Sequence, residues 1–338
     1  MKKIFALIMA CLMMAALLAG CGSPKDTAAA GNEKKVIKLS ITENEEHPQG
    51  LLIQTFKKEL EEISNGHFEV QLYYNSSLYT QEAAMQALLS GDLEMTATSM
   101  QVTEEYMPSI NMFTSTFFFK DYDHMRKVLD GEIGQELVQE MHDTMAYFPI
   151  GFFYNGSRQL NLRTTEEITK PEQLKNTILR MPTSEAWLAA GESLGAKTTP
   201  LAYSEVYGAL QNGTIDAQDN PLPAVKSAKF YEVTKQICLT YHIIDAELLA
   251  INTKFWDDLT EEEQGWIAQA AEMGIKACDE AVIQQEAELL SFFESKGLKI
   301  VTPDHDAFAA YARKYYEDKG YTARWDMELY EKVQDLAK

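Results

Sequence analysis

Apolar and polar residues alternate with a changing period along the first hundred residues of the chain. The segment VIKLSI at 36–41 predicts a short strand, and large apolar side chains at every fourth position over 52–60 predict a helix that stops at Asn65-Gly66. Strict alternation over 68–74 predicts a second strand, and the same order of helix and strand follows over 85–97. This βαβαβ order indicates an α/β fold with helices packed on a largely parallel sheet.

A weak internal repeat suggests that this unit occurs twice. The segments ALLSGDLE at 87–94 and ALQNGTID at 209–216 both predict a helix that ends at a glycine and leads directly into a strand. A generic helix-to-strand joint would give the same match, so the repeat alone leaves both explanations open. The length of the chain accommodates two lobes, and ligands in open α/β sheets bind where strand ends face a cleft. We therefore expect two lobes facing each other across a cleft.

A long amphipathic helix is predicted near the C-terminal end. Thr260 and Glu263 have the spacing of a capping box, and apolar residues at helical spacing continue to Phe293, before Gly297. The segment 261–296 is roughly 36 residues long, or about 54 Å at 1.5 Å per residue. Such a helix either serves two lobes or packs in the core of one large domain.

The N-terminal segment has the layout of an export signal. Lys2 and Lys3 precede an apolar run over 4–18 that is too short to remain as a membrane span. The sequence LAGC at 18–21 reads as a bacterial lipobox, with an ordinary signal cleavage site as the alternative. We expect residues 1–20 to be a lipoprotein signal peptide, Cys21 to be lipidated, and 21–35 to be a flexible tether. Two acyl chains on Cys21 would anchor the protein stably to the cell membrane, on its outer side.

Charge and cysteine content narrow the class further. The formal net charge of −21 argues against nucleic acid as a partner, because nucleic acids bind basic surfaces. Cys238 and Cys278 are the only cysteines outside the segment up to Cys21; they form either one disulfide or, as we favour, two buried thiols. Nothing in their spacing suggests zinc, and we expect neither a metal nor a cofactor.

Two arginines and an asparagine form the clearest candidate site. Arg180 ends an apolar strand, Arg158 follows another, and Asn220 precedes Pro221. A guanidinium binds a carboxylate through two parallel hydrogen bonds, and an amide can donate to the same group. The set predicts a carboxylate-binding site. Two buried arginines act locally, whereas most of the acidic surface lies beyond a Debye length of about 8 Å.

Four motifs give the chain a resemblance to a known family. NGSRQ at 155–159, LRMP at 179–182, YSEVYGALQNG at 203–213 and QDNP at 218–221 resemble the solute-binding subunit of TRAP (tripartite ATP-independent periplasmic) transporters. The resemblance is to the branch that binds C4-dicarboxylates and sialic acid, and it extends over the whole mature chain. Met181 and Asp219 depart from the valine and glutamate that are commoner in the family.

The resemblance implies a fold and a set of lobes. The fold is a two-lobed periplasmic-binding-protein type, and the long helix is similar to the family's spine helix, which crosses both lobes and bends as they close. We predict that lobe I comprises 36–154 and 244–285. Lobe II is expected to comprise 155–243 and 286–338.

The resemblance also implies the residues that bind the ligand. Arg180 would form the main salt bridge with the substrate carboxylate, with Arg158 and Asn220 as further contacts. The other predicted contacts are polar or aromatic: Asn155, Tyr203, Tyr241, Glu43, Asn44, Gln81 and Ser99. Thr42 is a further candidate beside Glu43 and Asn44. Tyr154, Trp187 and Tyr241 are weaker candidates, with buried packing as the alternative for each. Because Gln81 and Ser99 are neutral and no cation stands near them, the ligand's far end is expected to lack a second carboxylate.

The predicted function is capture of a small organic acid, with a sugar acid such as a uronate or aldonate favoured. The protein would close around its ligand as a monomer and deliver it to the small and large membrane subunits of a permease. A C4-dicarboxylate or sialic acid as ligand, or an extracellular sensor domain with the same fold, are the alternatives. An enzyme is disfavoured because the sequence has no P-loop, GxGxxG or HExxH motif.

Overall fold

The computed structural model describes residues 34–338. The predicted signal peptide, the lipidation site Cys21 and almost all of the tether lie outside the described residues. Within them the fold is mixed α/β, which confirms the predicted class. No helix of residues 34–338 is long and apolar enough to cross a membrane.

Ten strands form the sheet of the described chain, and its spatial order is β2-β1-β3-β9-β4-β7-β5-β6, with β8 between β4 and β10. They are β1 Lys35–Ser40, β2 Phe68–Tyr73, β3 Met95–Ser99, β4 Tyr147–Leu162, β5 Ile178–Met181, β6 Lys197–Pro200, β7 Ala217–Pro221, β8 Gln236–Cys238, β9 Ile244–Asn252 and β10 Lys299–Val301.

Twelve α-helices are present in the described part of the chain. They are α1 Pro48–Ile63, α2 Gln81–Ser90, α3 Met100–Thr103, α4 Tyr122–Leu129, α5 Glu132–Thr144, α6 Glu185–Ser193, α7 Val206–Asn212, α8 Leu222–Ser227, α9 Thr253–Asp257, α10 Glu261–Ser295, α11 His305–Asp318 and α12 Met327–Asp335. Short 3₁₀ turns lie at Pro108–Ile110, Pro171–Leu174, Tyr203–Glu205, Phe230–Glu232 and Thr322–Arg324.

The opening βαβαβ unit is confirmed, but the sheet is less parallel than predicted. β1 pairs with β3, and β5 with β6 and β7, in parallel. The centre is antiparallel, because β4 pairs with β9, β7 and β8, and β3 pairs with β9, in opposite directions. The reason is the 16-residue strand β4, which pairs with β9 along its first part and with β7 along its second. One long strand thereby joins two parallel units into a single sheet.

The two segments of the internal repeat have the same local geometry. Gly91 follows α2 as its C-cap and Gly213 follows α7 in the same way, and both glycines adopt a left-handed conformation with a φ of 82°. Residues other than glycine rarely adopt this backbone conformation. It lets the chain turn sharply from a helix towards the next strand. The repeat therefore marks two equivalent joints in the two halves of the sheet.

Helix α10 is the predicted long helix, and it contacts both hydrophobic cores. Its capping box is present, because Thr260 Oγ1 accepts from the Glu263 N–H and the Glu263 carboxylate accepts from the Thr260 N–H at 2.8 Å. Ile267 and Val282 pack in the larger core, and Phe293 packs in a second core. The helix therefore supports both halves of the molecule. The exact lobe boundaries stay a prediction, since residues Val36–Lys338 form one compact unit.

Two carboxylates on α10 fix strand β4 beside the site. Asp279 Oδ1 accepts from the Tyr154 N–H at 2.8 Å, and Glu286 Oε1 accepts from the Ser157 N–H at 2.6 Å. Between them, at Gly156, the register of β4 against β9 shifts and φ is 121°, so that a Cβ there would lie 2.6 Å from Pro221 Cβ. Glycine is required at this bulge.

Cys238 and Cys278 are free, buried thiols, in agreement with the favoured alternative. Burial raises the pKa of both Cys238 and Cys278. Such thiols are unreactive and behave as small apolar side chains.

Candidate functional site

Arg158 lies where β4 leaves β9 and begins to pair with β7. Its side chain is 3% exposed; Nε donates to Asp219 Oδ2 at 2.6 Å, and Nη1 donates to Asp245 Oδ2 at 2.7 Å. Nη2 donates to the Asp219 carbonyl at 2.8 Å and to Asn220 Oδ1 at 3.2 Å. A guanidinium has five N–H groups, and only one, on Nη1, is left without an acceptor among residues 34–338. Acceptors within the protein therefore take up most of the hydrogen-bond donors of Arg158.

The Arg158–Asp219 pair is further supported by a buried histidine. His242 Nε2 lies 3.1 Å from Asp219 Oδ2, and its Nδ1 lies 2.8 Å from Thr240 Oγ1. Burial alone would raise the pKa of Asp219, but the Arg158 charge and the hydrogen bond with His242 hold it well below its usual value. Burial would lower the pKa of Arg158, yet the carboxylates of Asp219 and Asp245 raise it. The pair therefore stays ionised at neutral pH.

Arg180 has a different environment. It lies on β5 between β6 and β7 and is 2% exposed. Its Nε donates to the Leu201 carbonyl at 2.8 Å, whereas its two η nitrogens have no acceptor within the described part of the chain. Burial lowers the pKa of Arg180 to about 10, so the group is still charged at neutral pH. A buried guanidinium with both η nitrogens free of protein acceptors is suited to bind a carboxylate from outside the chain.

Both arginines line one cavity at the carboxyl ends of β1, β3 and β5, which is where open α/β sheets bind ligands. Eight of the ten predicted contact residues line this cavity: Arg158, Arg180, Asn155, Asn220, Tyr203, Glu43, Gln81 and Ser99. Thr42, a further candidate, and Trp187, a weaker one, line it as well. The eight contact residues, which run from Glu43 to Asn220 in the sequence, are thus brought together in one place.

Glu43 and Tyr203 meet across the cavity. The Tyr203 hydroxyl donates to Glu43 Oε2 at 3.0 Å, and the Arg180 guanidinium carbon lies 5.9 Å from the centre of the Tyr203 ring. Burial raises the pKa of Glu43 to about 7, even though Tyr203 and both arginines favour its ionised form. Burial and the neighbouring Glu43 raise the pKa of Tyr203, which therefore remains a hydroxyl donor.

Ser99 and Trp187 connect the third strand with the helix after β5. Ser99 caps α3, where its Oγ accepts from the Val102 N–H, and the same Oγ accepts from Trp187 Nε1 at 3.2 Å. The Trp187 ring lies under Arg158, with 4.3 Å between the guanidinium carbon and the ring centre. This cation–π contact fixes the plane of the guanidinium.

Asn44 and Tyr241 are not brought into the cavity. Asn44 Nδ2 donates to the Ser227 carbonyl at 3.0 Å, and Asn44 lines a neighbouring recess instead. Tyr241 has a φ of 45°, is 44% exposed, and packs on the ring of His305. The structure therefore gives both residues packing contacts outside the cavity, in place of the predicted lining positions.

Several residues of the site were missing from the prediction. Gln49 and Glu247 line the cavity, while Asp245 and His242 lie behind it. One sequence signal for two of them exists: Asp245 and Glu247 stand two positions apart, and so on one face, in a strand that is otherwise apolar. Acidic residues in such a strand require partners, because an unpaired buried charge is unfavourable.

Known proteins resemble this chain over most of its length. A family model described as bacterial extracellular solute-binding protein, family 7, matches residues 39–321. The sialic acid-binding periplasmic protein SiaP of Vibrio cholerae is 31% identical over 290 residues, which cover 86% of this chain and 88% of that protein.

Solved structures resemble the fold closely. A TRAP periplasmic solute-binding protein of Roseobacter denitrificans with bound 3-deoxy-D-manno-oct-2-ulosonic acid has a TM-score of 0.85 and 33% identity, covering 90% of this chain and 100% of that one. A second protein from that organism, with bound L-galactonate, has a TM-score of 0.82 and 30% identity, covering 90% and 99%. The chain therefore belongs to family 7 of the bacterial extracellular solute-binding proteins, the solute-binding proteins of TRAP transporters.

Proposed function

We propose that this protein captures a sugar acid with a single carboxylate, such as an aldonate, a uronate or an ulosonate. The observation that carries the proposal is the environment of Arg180. Among residues 34–338 its buried guanidinium has one acceptor, the Leu201 carbonyl, and Arg180 lines the cavity with both η nitrogens free of such partners. A carboxylate that accepts from both would neutralise a buried charge, which is the strongest type of hydrogen bond available to such a site.

Arg158 and Asn220 can donate further hydrogen bonds to the same carboxylate. Arg158 keeps one Nη1 hydrogen, and Asn220 donates one amide hydrogen to Gln218 Oε1 at 2.5 Å, which leaves its second one. Arg158 and Asn220 line the same cavity as Arg180. Their role is to orient the carboxylate, while Arg180 supplies the uncompensated charge.

The rest of the cavity suits hydroxyl groups. Gln81, Ser99 and Asn155 are neutral hydrogen-bonding side chains, and Glu43 with Tyr203 supplies one acceptor and one hydroxyl. A polyhydroxylated chain can donate to and accept from such groups, whereas a plain C4-dicarboxylate would need a second cation. The bound acids of the two Roseobacter denitrificans proteins, an ulosonic acid and an aldonate, have this chemistry and support the choice.

The capture mechanism is closure of two lobes over the ligand. Contacts between residues assigned to different lobes support this: Tyr203 with Glu43, Trp187 with Ser99, and Asn44 with the Ser227 carbonyl. Each is a single hydrogen bond of a kind that can break and re-form as the lobes move. A ligand that contacts both lobes stabilises the closed form because it binds that form more tightly.

Delivery to the membrane completes the proposal. The protein would be held outside the cell membrane by lipid on Cys21 and would pass its acid to the small and large subunits of a TRAP permease. It would act by binding alone, as a carrier without catalysis. Mass spectrometry of the N-terminal peptide tests the anchor: a diacylglyceryl group on Cys21 is expected, and an unmodified mature N-terminus would contradict it.

A ligand panel tests the proposal directly. Thermal unfolding is followed with L-galactonate, D-gluconate, D-glucuronate, 3-deoxy-D-manno-oct-2-ulosonate, N-acetylneuraminate and succinate, and hits are confirmed by titration calorimetry. A sugar acid at a hundred times its dissociation constant should stabilise the fold by about 2.7 kcal/mol. Stabilisation by succinate alone, or by none of the acids, would refute the sugar-acid assignment. Arg313→Ala, which removes an arginine whose side chain is 73% exposed, is the control for general charge effects.

A further inference from the structure

Tyr203 connects the carboxyl group of Glu43 with Arg180. Its hydroxyl donates to Glu43 Oε2 at 3.0 Å, and its ring centre lies 5.9 Å from the guanidinium carbon of Arg180. All three side chains line the cavity. Glu43 Oε1 has no hydrogen-bond partner among residues 34–338. A ligand carboxylate on Arg180 would therefore share the cavity with a carboxyl group that has one oxygen still unpaired.

Acidic side chains outnumber basic ones at this cavity. Glu43 and Glu247 line it together with Arg158 and Arg180, and two further carboxylates behind it pair with Arg158. With every group ionised, four carboxylates and two guanidinium groups would give a net charge of −2, and a monoanionic ligand would make it −3. A poorly solvated cavity opposes such an excess of one sign. Some of these carboxyl groups therefore have to be neutral in the complex.

The two acids of the lining differ in how readily they become neutral. Burial and a neighbouring carboxylate raise the pKa of Glu247 well above its usual value. Burial raises the pKa of Glu43 only to about 7, because the Tyr203 hydroxyl and both cavity arginines favour its ionised form. Without ligand, Glu43 is therefore mostly ionised at pH 8. Glu43 is faced by Tyr203 on its 3₁₀ turn, Arg158 on β4, Arg180 on β5 and Glu247 on β9, and Tyr207 lines the neighbouring recess with it.

A carboxylate bound to Arg180 changes the balance at Glu43. It neutralises a guanidinium that favours the ionised form of Glu43, and it adds a negative charge to the same cavity. Both effects raise the pKa of Glu43, because a like charge disfavours the ionised form of a carboxyl group. Neutral Glu43 can still accept from Tyr203 through Oε2, and it gains an O–H that can donate to a hydroxyl group of the ligand.

We propose that Glu43 binds a proton from the solvent together with the sugar acid, so that the cavity takes up the anion and one proton as a pair. This inference rests on the proposed function, with the free η nitrogens of Arg180 as the sign of a ligand carboxylate. Proton and ligand then favour each other's binding to the same extent, since such coupling is reciprocal. The pKa of Glu43 in the free protein is about 7, so the affinity should be constant below about pH 7 and fall as the pH rises above it.

Titration calorimetry in two buffers measures the proton directly. The tightest-binding acid of the panel is titrated at pH 8 in Tris and in HEPES, which differ in their enthalpies of ionisation, and the difference between the observed enthalpies gives the number of protons. A rise of one unit in the pKa of Glu43 would give an uptake of about 0.4 protons per ligand. Binding without uptake would overturn the inference and leave sugar-acid binding intact. Binding of no sugar acid would instead refute the proposed function.

Glu43→Gln tests whether the proton is on this residue, because glutamine has the size of the neutral acid but does not titrate. Wild-type affinity should fall by about fivefold or more between pH 6 and 8.5, and that of the variant by less than about twofold and without proton uptake. Glu280→Gln removes a charge from a side chain that is 69% exposed and should keep the wild-type uptake. Uptake that persists in Glu43→Gln would overturn the assignment. If that variant does not fold, equal wild-type affinity at pH 6 and 8.5 overturns the inference, and the fivefold fall supports it.

Discussion

Arg158 and Arg180 lie in the same cavity, yet the protein treats them in opposite ways. Arg158 contacts two carboxylates, a carbonyl and an amide, and its pKa is raised. Arg180 contacts one carbonyl, and burial lowers its pKa to about 10. The difference indicates that the Arg158 guanidinium mainly stabilises the fold, and it supports the proposal that the Arg180 guanidinium binds the ligand. Both are buried arginines that stand in sequence motifs, and only their neighbours in the structure distinguish them.

Removal of Arg158 should have the largest effect on the fold. Arg158→Met leaves Asp219 and Asp245 buried without their counter-ion, and breaking a buried ion pair in this way lowers the free energy of unfolding by about 3–5 kcal/mol. Urea denaturation of the ligand-free protein measures it. The matched variant Arg180→Met loses one hydrogen bond together with a poorly solvated charge, so a change within about 1 kcal/mol is expected. Equal destabilisation by the two variants would break the comparison.

Glu43, which lines the cavity together with both arginines, should make the free energy of unfolding depend on pH. The folded-state pKa of Glu43 is raised from 4.5 to about 7, so its contribution is complete below about pH 4.5 and is lost as the pH rises through 7. That loss is on the order of 3 kcal/mol. Unfolding free energies of wild type and Glu43→Gln, measured by urea from pH 4.5 to 8, should diverge in this window, with wild type losing more. Parallel curves would contradict the buried position of this acid.

Asp219, the carboxylate bound to Arg158, behaves in the opposite sense. Its pKa is held below the usual value, so its stabilisation is present above the pKa of the unfolded chain and is lost only as the pH falls further. The two acids therefore differ in charge. Asp219 stays ionised beside Arg158, whereas Glu43 becomes neutral as the pH falls below about 7.

The smallest expected effect concerns the contact between Trp187 and Ser99. Trp187→Phe keeps an aromatic ring under Arg158 but removes the N–H that donates to Ser99 Oγ at 3.2 Å. Loss of one hydrogen bond should weaken ligand binding by about 1 kcal/mol, because the bond favours the closed form. Calorimetry with the tightest-binding acid of the panel measures it. Unchanged affinity would show that this contact has no share in closure.

Local patterns determined how much of the fold was predictable. The βαβαβ unit, the glycine joints at Gly91 and Gly213, and the capping box at Thr260 depend on near neighbours in the sequence, and all were predicted. The antiparallel centre was not predicted. Strand β4 changes its pairing partner from β9 to β7, and this depends on strands that are distant in the sequence.

The same limit applies to the site. Arg158, Arg180 and Asn220 stand in motifs, so the sequence indicated them. The saturation of Arg158 arises from Asp219 and Asp245, which β7 and β9 bring to it from both sides, and no local pattern contains that information. Tyr241 stands near in sequence to buried site residues, yet its left-handed backbone and its contact with His305 place it elsewhere.

The central claim is that the η nitrogens of Arg180 bind the carboxylate of the solute. Titration calorimetry of Arg180→Met with the tightest-binding sugar acid of the panel tests it most directly, with Arg313→Ala as the control. We predict a loss of about 2–4 kcal/mol, or roughly 30- to 800-fold in affinity, in a protein that unfolds at the same urea concentration as wild type. Affinity within about threefold of wild type in the folded variant would contradict the account.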